Sequence, residues 1–256
     1  MRCLITVLLG AVLSVLIPPG EPAAAGDIDP YELQEAFGRF PFAKVIPLDG
    51  GNAWGIIYAD VYGKIYVKRA TERGWKREWE LTNLGAKVKK FFILDVGEDG
   101  ILDLVIATVA GRLLIYRLDD YSNVWENIED GWTSIEAIDI KNIDDDPQVE
   151  FIVLAEGTLY VIDSMSKGRD WISKSRFEAT ELLAANVDKD PQLEFILNTG
   201  TVIDSKFKNI DLEWDKPFGE RITTFDITSD GIPEVIGEFN DYSLRIFDVY
   251  SQREVW

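Results

Sequence analysis

The sequence predicts an all-β protein, a five-bladed β-propeller of four-stranded antiparallel blades. Tryptophan returns at Trp79, Trp125, Trp171, Trp214 and Trp256, at intervals of 46, 46, 43 and 42 residues. Self-similarity at roughly 40 to 50 residues marks a propeller with one blade per repeat. Each tryptophan follows the same order of segments: an apolar strand, an acidic turn, a second apolar strand, a short turn and an alternating strand. The second strands, such as LDLVIATV and EFIVLA, are nearly continuous apolar runs, as expected for strands covered on both faces. LYVID and LRIFD mix apolar and polar positions like strands nearer a rim.

Blade one is expected over 43–85, with strands AKVIPL, WGIIYADV, KIYVKRA and KREWEL. Blade two, over 88–130, has KFFILDV, LDLVIATV, RLLIYRL and NVWENI. Blade three, over 131–177, has SIEAIDI, EFIVLA, TLYVID and DWISK. Blade four, over 178–219, has ELLAANV, EFILNT, TVIDS and DLEWDK. Blade five, over 220–256, has ITTFDI, PEVIGEF, SLRIFDV and REVW. The chain starts on an inner strand and ends on an outer one, so the ring is expected to close by packing, with no strand exchanged between the termini.

Ahead of the repeats, Met1-Arg2-Cys3 leads into an apolar run from Leu4 to Ile17, then Pro18-Pro19-Gly20 and Ala23-Ala24-Ala25. A basic start, an apolar stretch short for a membrane span and an Ala-x-Ala end predict a signal peptide over 1–25; an uncleaved anchor is the alternative. Export would leave a mature chain with no membrane span and, because Cys3 is the only cysteine, no thiol. Residues 26–42 form an N-terminal extension. In it, Asp29 as cap, Pro30 at the first position and Gly38 at the end predict a short helix, placed to cover one face or the seam.

The 256 residues include 26 Lys and Arg against 45 Asp and Glu, a net charge of −19. Such a chain repels phosphate backbones and anionic membranes, which excludes nucleic acid as the expected partner and favours cations or basic partners. Plain solubility is the simpler reading of the same charge. With no histidine and no cysteine after Cys3, Ser-His, Cys-His, and His- or Cys-dependent zinc and haem chemistry are excluded. Glycosidase chemistry needs two facing carboxylates. Asp139 and Asp226 are the nearest candidates for the axis; the other recurring acids fall in turns. The expectation is a non-catalytic binding or scaffold module for a protein or carbohydrate ligand. The alternative is a carbohydrate-active enzyme or lectin using the central cleft.

The acidic turns between first and second strands carry oxygen-bearing residues at positions one, three, five and nine. Blade three has Asn142, Asp144, Asp146 and Glu150, and blade four Asn186, Asp188, Asp190 and Glu194. Blade five has Asp226, Thr228, Asp230 and Glu234. Blade two has Asp95, Asp99 and Asp103, with Gly97 at the third position. Blade one keeps only Asp49-Gly50-Gly51-Asn52. Oxygen ligands at alternate positions of a tight loop suit a hard cation; turns bonded to their own backbone are the other reading.

The turns resemble the FG-GAP, or VCBS-type, repeat of integrin-like propellers, over about residues 88–256. The resemblance implies calcium bound by these side chains and by a position-seven carbonyl, which is Ile101 in blade two and Ile232 in blade five. Those two blades also keep glycine at position six, Gly100 and Gly231, where Pro147 and Pro191 stand in blades three and four. Proline cannot take a positive φ, so calcium is expected first in blades two and five.

The segments LYVIDSMSKGRDW and LRIFDVYSQREVW are similar to the hairpin of pyrroloquinoline-quinone-type propeller repeats. Asp163 and Asp248 stand eight residues before the tryptophan, and blade two has Arg117 at that place. The similarity implies no quinone cofactor, because nothing outside the hairpin matches. The tryptophan itself reads as a wedge between neighbouring blades.

Overall fold

The structure, a computed structural model, describes residues 42–256 apart from residue 145; the expected leader and short helix lie outside the described residues. Twenty strands form five sheets, each of four consecutive strands paired antiparallel in chain order. Blade one is β1 (Ala43–Leu48), β2 (Ala53–Ala59), β3 (Ile65–Thr71) and β4 (Gly74–Leu81). Blade two is β5 (Val88–Leu94), β6 (Asp103–Thr108), β7 (Leu113–Arg117) and β8 (Asn123–Glu126). Blade three is β9 (Ala137–Lys141), β10 (Glu150–Ala155), β11 (Thr158–Asp163) and β12 (Arg169–Arg176). Blade four is β13 (Leu182–Ala185), β14 (Glu194–Leu197), β15 (Thr201–Asp204) and β16 (Ile210–Glu213). Blade five is β17 (Arg221–Phe225), β18 (Glu234–Glu238), β19 (Leu244–Asp248) and the two-residue β20 (Arg253–Glu254). No blade borrows a strand from another among the described residues.

The period-two alternation of each strand decides which blade a side chain meets. In β10, Phe151, Val153 and Ala155 pack towards blade two with Val105, Leu113 and Ile115. Ile152 and Leu154, on the other face, pack towards blade four with Phe195, Leu197 and Ile203. Both faces are covered, which is why the second strands are continuous apolar runs. Four apolar clusters bridge blades one and two, two and three, three and four, and four and five. Among the described residues, none bridges blades five and one.

The repeated tryptophan seats each blade on the next. Trp79 stacks on Tyr121 of blade two, with centroids 5.1 Å apart and planes 10° apart. Trp125 stacks on Phe151 of blade three at 6.4 Å, with Lys167 Nζ 5.5 Å above its ring. Lys208 Nζ lies 6.0 Å over Trp171, and Trp214 meets Phe247 of blade five edge-on at 5.8 Å. Tyr121, Lys167 and Lys208 hold equivalent places in their third-to-fourth-strand hairpins, with φ of 60°, 61° and 58°. Trp256 is 71 % exposed.

The second-to-third-strand turns pass beneath the connector to the next blade. Gly63 and Gly111 have φ of 81° and 83°, and a Cβ there would lie 1.9 Å from the Ala86 oxygen and 2.2 Å from the Trp132 oxygen. Glycine is the residue that fits both the angle and the approach. Asn198 ties blades four and five in a similar way. Its Oδ1 accepts the Thr180 and Glu181 N–H groups at 2.9 and 3.1 Å, and its Nδ2 donates to the Gly219 carbonyl at 3.0 Å. Asn198→Ala removes the partner of one buried and two part-buried backbone groups, so denaturant titration should show a loss of about 1–3 kcal/mol. A loss under 0.5 kcal/mol would show that water replaces the side chain.

Candidate cation turns and the blade four–five cleft

The position-nine carboxylate anchors every acidic turn. Its oxygen accepts the backbone N–H of position two: Val96 to Asp103 at 3.0 Å, Ile143 to Glu150 at 2.7 Å, Val187 to Glu194 at 2.8 Å and Ile227 to Glu234 at 2.8 Å. These acids open the second strands and face inward, so all four are buried. What separates the turns is the fate of the remaining oxygens.

In blades three and four, Glu150 and Glu194 are 1 % and 2 % exposed, and the Oε1 of each has no hydrogen-bond partner. Burial pushes the Glu150 carboxyl up to about 7, with the Asp144 and Asp146 charges adding to it. The same causes, with Asp188 and Asp190, push Glu194 up to about 8. One oxygen from each of Asp144, Asp146 and Glu150 lies within 4.8 Å of the others, and likewise for Asp188, Asp190 and Glu194. Ligands on opposite sides of a calcium ion stand about 4.6–5.2 Å apart, twice its 2.3–2.6 Å bond length. The donors are hard oxygens, the cluster has the right span, and a buried carboxylate oxygen lacks a partner. These residues fit a hard cation.

The proline at position six changes the turn without opening it. Asn142 Nδ2 donates to the Asp146 carbonyl and Asn186 Nδ2 to the Asp190 carbonyl. Asp144 Oδ1 takes the Asp146 N–H, and Asp188 Oδ1 the Asp190 N–H, at 2.9 and 2.7 Å. The glycine turns use their acids differently. Gly100 and Gly231 take φ of 82° and 89°, which turns two N–H groups onto position one: Asp95 accepts from Asp99 and Gly100, and Asp226 from Asp230 and Gly231. Ile101 and Ile232 are tied in through their N–H groups, to Asp99 and Asp230.

In blade two, Arg117 Nη1 pairs with Asp99 at 2.7 Å and its Nε with Asp119 at 3.1 Å. That hydrogen bond lowers the Asp99 carboxyl below its usual range, and the guanidinium supplies the positive charge a metal would bring. In blade five, Asp226, Asp230 and Glu234 still cluster within 4.8 Å, but the Thr228 hydroxyl donates to Glu234 Oε1 at 2.7 Å. The glycine that ranks blades two and five first in the sequence therefore goes with acids already engaged. Asp49 of blade one is likewise paired, with Arg69 at 2.5 Å.

The two candidate axial acids serve the backbone. Asp139 Oδ2 accepts the Ala184 N–H of blade four at 2.9 Å, and its Oδ1 lies 3.8 Å from Lys90 Nζ. Lys89 Nζ donates to the Thr180 carbonyl at 2.9 Å, joining blade two to blade four. Asp226 is the turn acid just described.

An open cleft of about 570 Å³ lies between the acidic turns of blades four and five, lined among others by Asp188, Lys189, Asp190, Asp230 and Ile232. Lys189 Nζ sits 4.3 Å over the Tyr250 ring. Reading the turns one at a time misses this cleft, because blade packing is what brings position five of two turns to one opening.

Among the described residues, no helix is long and apolar enough to cross a membrane. No protein-family model matches the chain, and no curated protein matches it. Solved structures do. The chain is similar to BBS1N, solved in complex with ARL6DN, with a TM-score of 0.58 and 13 % identity over 84 % of this chain and 67 % of that one. It is similar to the V. cholerae biofilm matrix protein Bap1, with a TM-score of 0.58 and 14 % identity over 84 % of this chain and 38 % of that one. Saccharomyces cerevisiae Sqt1 gives a TM-score of 0.52 and 12 % identity, over 77 % and 55 %. The chain thus spans between 38 and 67 % of the lengths of these three proteins. Identity this low speaks to fold alone, and the fold is the β-propeller.

Proposed function

We propose that the chain is an exported, non-catalytic propeller module that binds a protein partner, with calcium held in the acidic turns of blades three and four. The observation that carries the metal reading is the unpartnered, fully buried Oε1 of Glu150 and of Glu194, each beside two more carboxylates. The FG-GAP-like spacing supports the same reading. In it, Asp144, Asp146 and Glu150, with the Asn142 side chain alongside, hold one ion; Asp188, Asp190 and Glu194, with Asn186, hold the other. A bound calcium ion supplies charge compensation that fixes the turn, and it does no chemistry on a substrate.

The binding reading rests on the fold and on the cleft between blades four and five. Among its neighbours in fold, BBS1N was solved in complex with ARL6DN and Bap1 is a biofilm matrix protein. Outside the blade four ion ligands the cleft carries Asp230 and Lys189, which suits a partner that presents side chains of both charges. Export follows from the basic start, apolar run and Ala-x-Ala of residues 1–25.

Equilibrium dialysis with calcium tests the metal sites. Two ions per chain are expected, at the 10⁻⁴ to 10⁻³ M affinity of extracellular modules, falling to one in Glu194→Gln. Stoichiometry unchanged in Glu150→Gln and Glu194→Gln would dismiss the sites. Mass measurement of the secreted protein is expected to give an N-terminus near Gly26; a product retaining Cys3 would contradict export by cleavage.

A further inference from the structure

The third-to-fourth-strand hairpin of one blade leans over the acidic turn of the blade before it. Position two of each turn shows this. Val96, Ile143 and Val187 pack in the junction clusters that hold their own blade's tryptophan and a phenylalanine of the next blade: Trp125 with Phe151, Trp171 with Phe195, and Trp214 with Phe247.

The charge that the hairpin brings to these rings differs between junctions. The residue four places beyond the end of the third strand takes a left-handed φ in each hairpin: Tyr121 after Arg117, Lys167 after Asp163, Lys208 after Asp204 and Gln252 after Asp248. Lys167 Nζ lies 5.5 Å from the Trp125 and Phe151 rings. Lys208 Nζ lies 5.1 Å from Phe195 and 6.0 Å from Trp171. The aromatic faces hold each ammonium in place. At the next junction that position is the neutral Gln252.

Lys208 therefore stands beside the blade three turn, which packs against the same two rings through Ile143. Burial pulls the Lys208 ammonium below its usual range, and Glu150 and Asp144 lead the charges that oppose this, ahead of Asp170 and Asp204. The ammonium is near the Glu150 carboxylate without bonding to its buried Oε1, which has no hydrogen-bond partner. Blade four's turn has a lysine of its own, Lys189 at position four, but that side chain is exposed and its Nζ turns out over Tyr250 of the blade five hairpin.

We propose that Lys208 sets the cation affinity of the blade three turn from the neighbouring blade, its fixed charge opposing a divalent ion there, while Gln252 leaves the blade four turn unopposed. This rests on the metal reading given above. Without calcium the ammonium offsets part of the charge of Asp144 and Glu150; with calcium, two cations face the same carboxylates. A fixed charge several ångströms from a divalent ion near a protein surface weakens its binding by roughly ten-fold. Blade two carries the pattern further, because Lys167 there adds to the Arg117 that already pairs with Asp99.

Equilibrium dialysis with calcium on full chains reduced to one site tests this. In Glu194→Gln, which leaves the blade three turn, adding Lys208→Gln should tighten calcium binding roughly ten-fold, while Lys208→Arg, which keeps the charge, should leave it within about two-fold. In Glu150→Gln, which leaves the blade four turn, Lys208→Gln should change nothing and Gln252→Lys should weaken binding roughly ten-fold. Should Lys208→Gln fail to fold, Gln252→Lys still reads the same effect at the other junction. Calcium bound with equal affinity by the Lys208→Gln and Lys208→Arg chains, or unweakened by Gln252→Lys, would overturn the proposal and leave the metal sites standing. No calcium bound by either single-site chain would remove the metal reading, and the proposal with it.

Discussion

Calcium at 10 mM is expected to raise the melting temperature of this chain by roughly 6–11 °C at pH 8 and by far less near pH 5 if the proposed sites bind it. At a dissociation constant of about 1 mM, each site adds about 1.4 kcal/mol, and a domain of this size gains roughly 2–4 °C per kcal/mol. The pH dependence follows from burial. In the calcium-free chain Glu150 and Glu194 titrate near 7 and 8, against about 4.5 when unfolded. Between those values the folded state holds more protons than the unfolded one, so stability falls as pH rises from about 4.5 to about 8. Each unit of that range costs about 1.4 kcal/mol per group, and below it the protonated carboxyls need no ion. Calcium binds the ionised form and displaces the protons, so its effect grows over the same window. Calorimetry at pH 5 and pH 8, with calcium, magnesium or chelator, measures this. Glu150→Gln with Glu194→Gln keeps the acceptor for the position-two N–H and removes the charge, so it should flatten both the pH profile and the calcium shift. Equal shifts by calcium and magnesium, unchanged in the double variant, would leave these as ordinary Asp-rich turns.

Phe151→Ala lowers stability by about 3–5 kcal/mol, the cost of emptying a well-packed aromatic site. Phe151 is fully buried at the blade two–three junction, stacked on Trp125 beneath Lys167. Removing the ring therefore strips the tryptophan of the surface it rests on, and both blades feel the cavity. Phe151→Leu keeps most of the volume and should cost under half as much, while Val124→Ala, at the exposed residue before Trp125 on β8, should stay within about 0.5 kcal/mol. Urea titration of the three variants ranks them. A Phe151→Ala loss under 1 kcal/mol would mean that the blades do not lean on each other through the repeated tryptophan.

The fold is legible in this sequence because a blade cannot bury its two faces alone. The tryptophan interval and the continuous second strands both record that need, and the five four-stranded sheets follow. The short β20 is less legible: REVW reads as a fourth strand, but the regular ladder holds only Arg253 and Glu254, and Val255 and Trp256 continue along β19 through irregular backbone bonds to Ile246. The acidic turns show the limit of spacing. Their positions one, three, five and nine are plain in the sequence, but which oxygens stay free depends on partners elsewhere. Arg117 takes Asp99 from the far end of the third strand, and Thr228, a poor ligand by type, satisfies Glu234. The prolines that argue against blades three and four close those turns through Asn142 and Asn186, and one buried oxygen each of Glu150 and Glu194 is left without a partner.

The four junction clusters also set how the molecule comes apart. Each blade rests on its sequence neighbours, so stability approximates a linear sum of blade and nearest-neighbour terms. Among the described residues, blades two, three and four have two such interfaces, and blades one and five one each. Opening then starts at the ends and works inward, and amide hydrogens should exchange fastest in the two-residue β20 and slowest in β10. One link departs from this sequential order: Lys89 reaches past blade three to the Thr180 carbonyl ahead of β13. It gives the three middle blades a shared fastening, so they are expected to melt as one cooperative unit after the outer two have frayed.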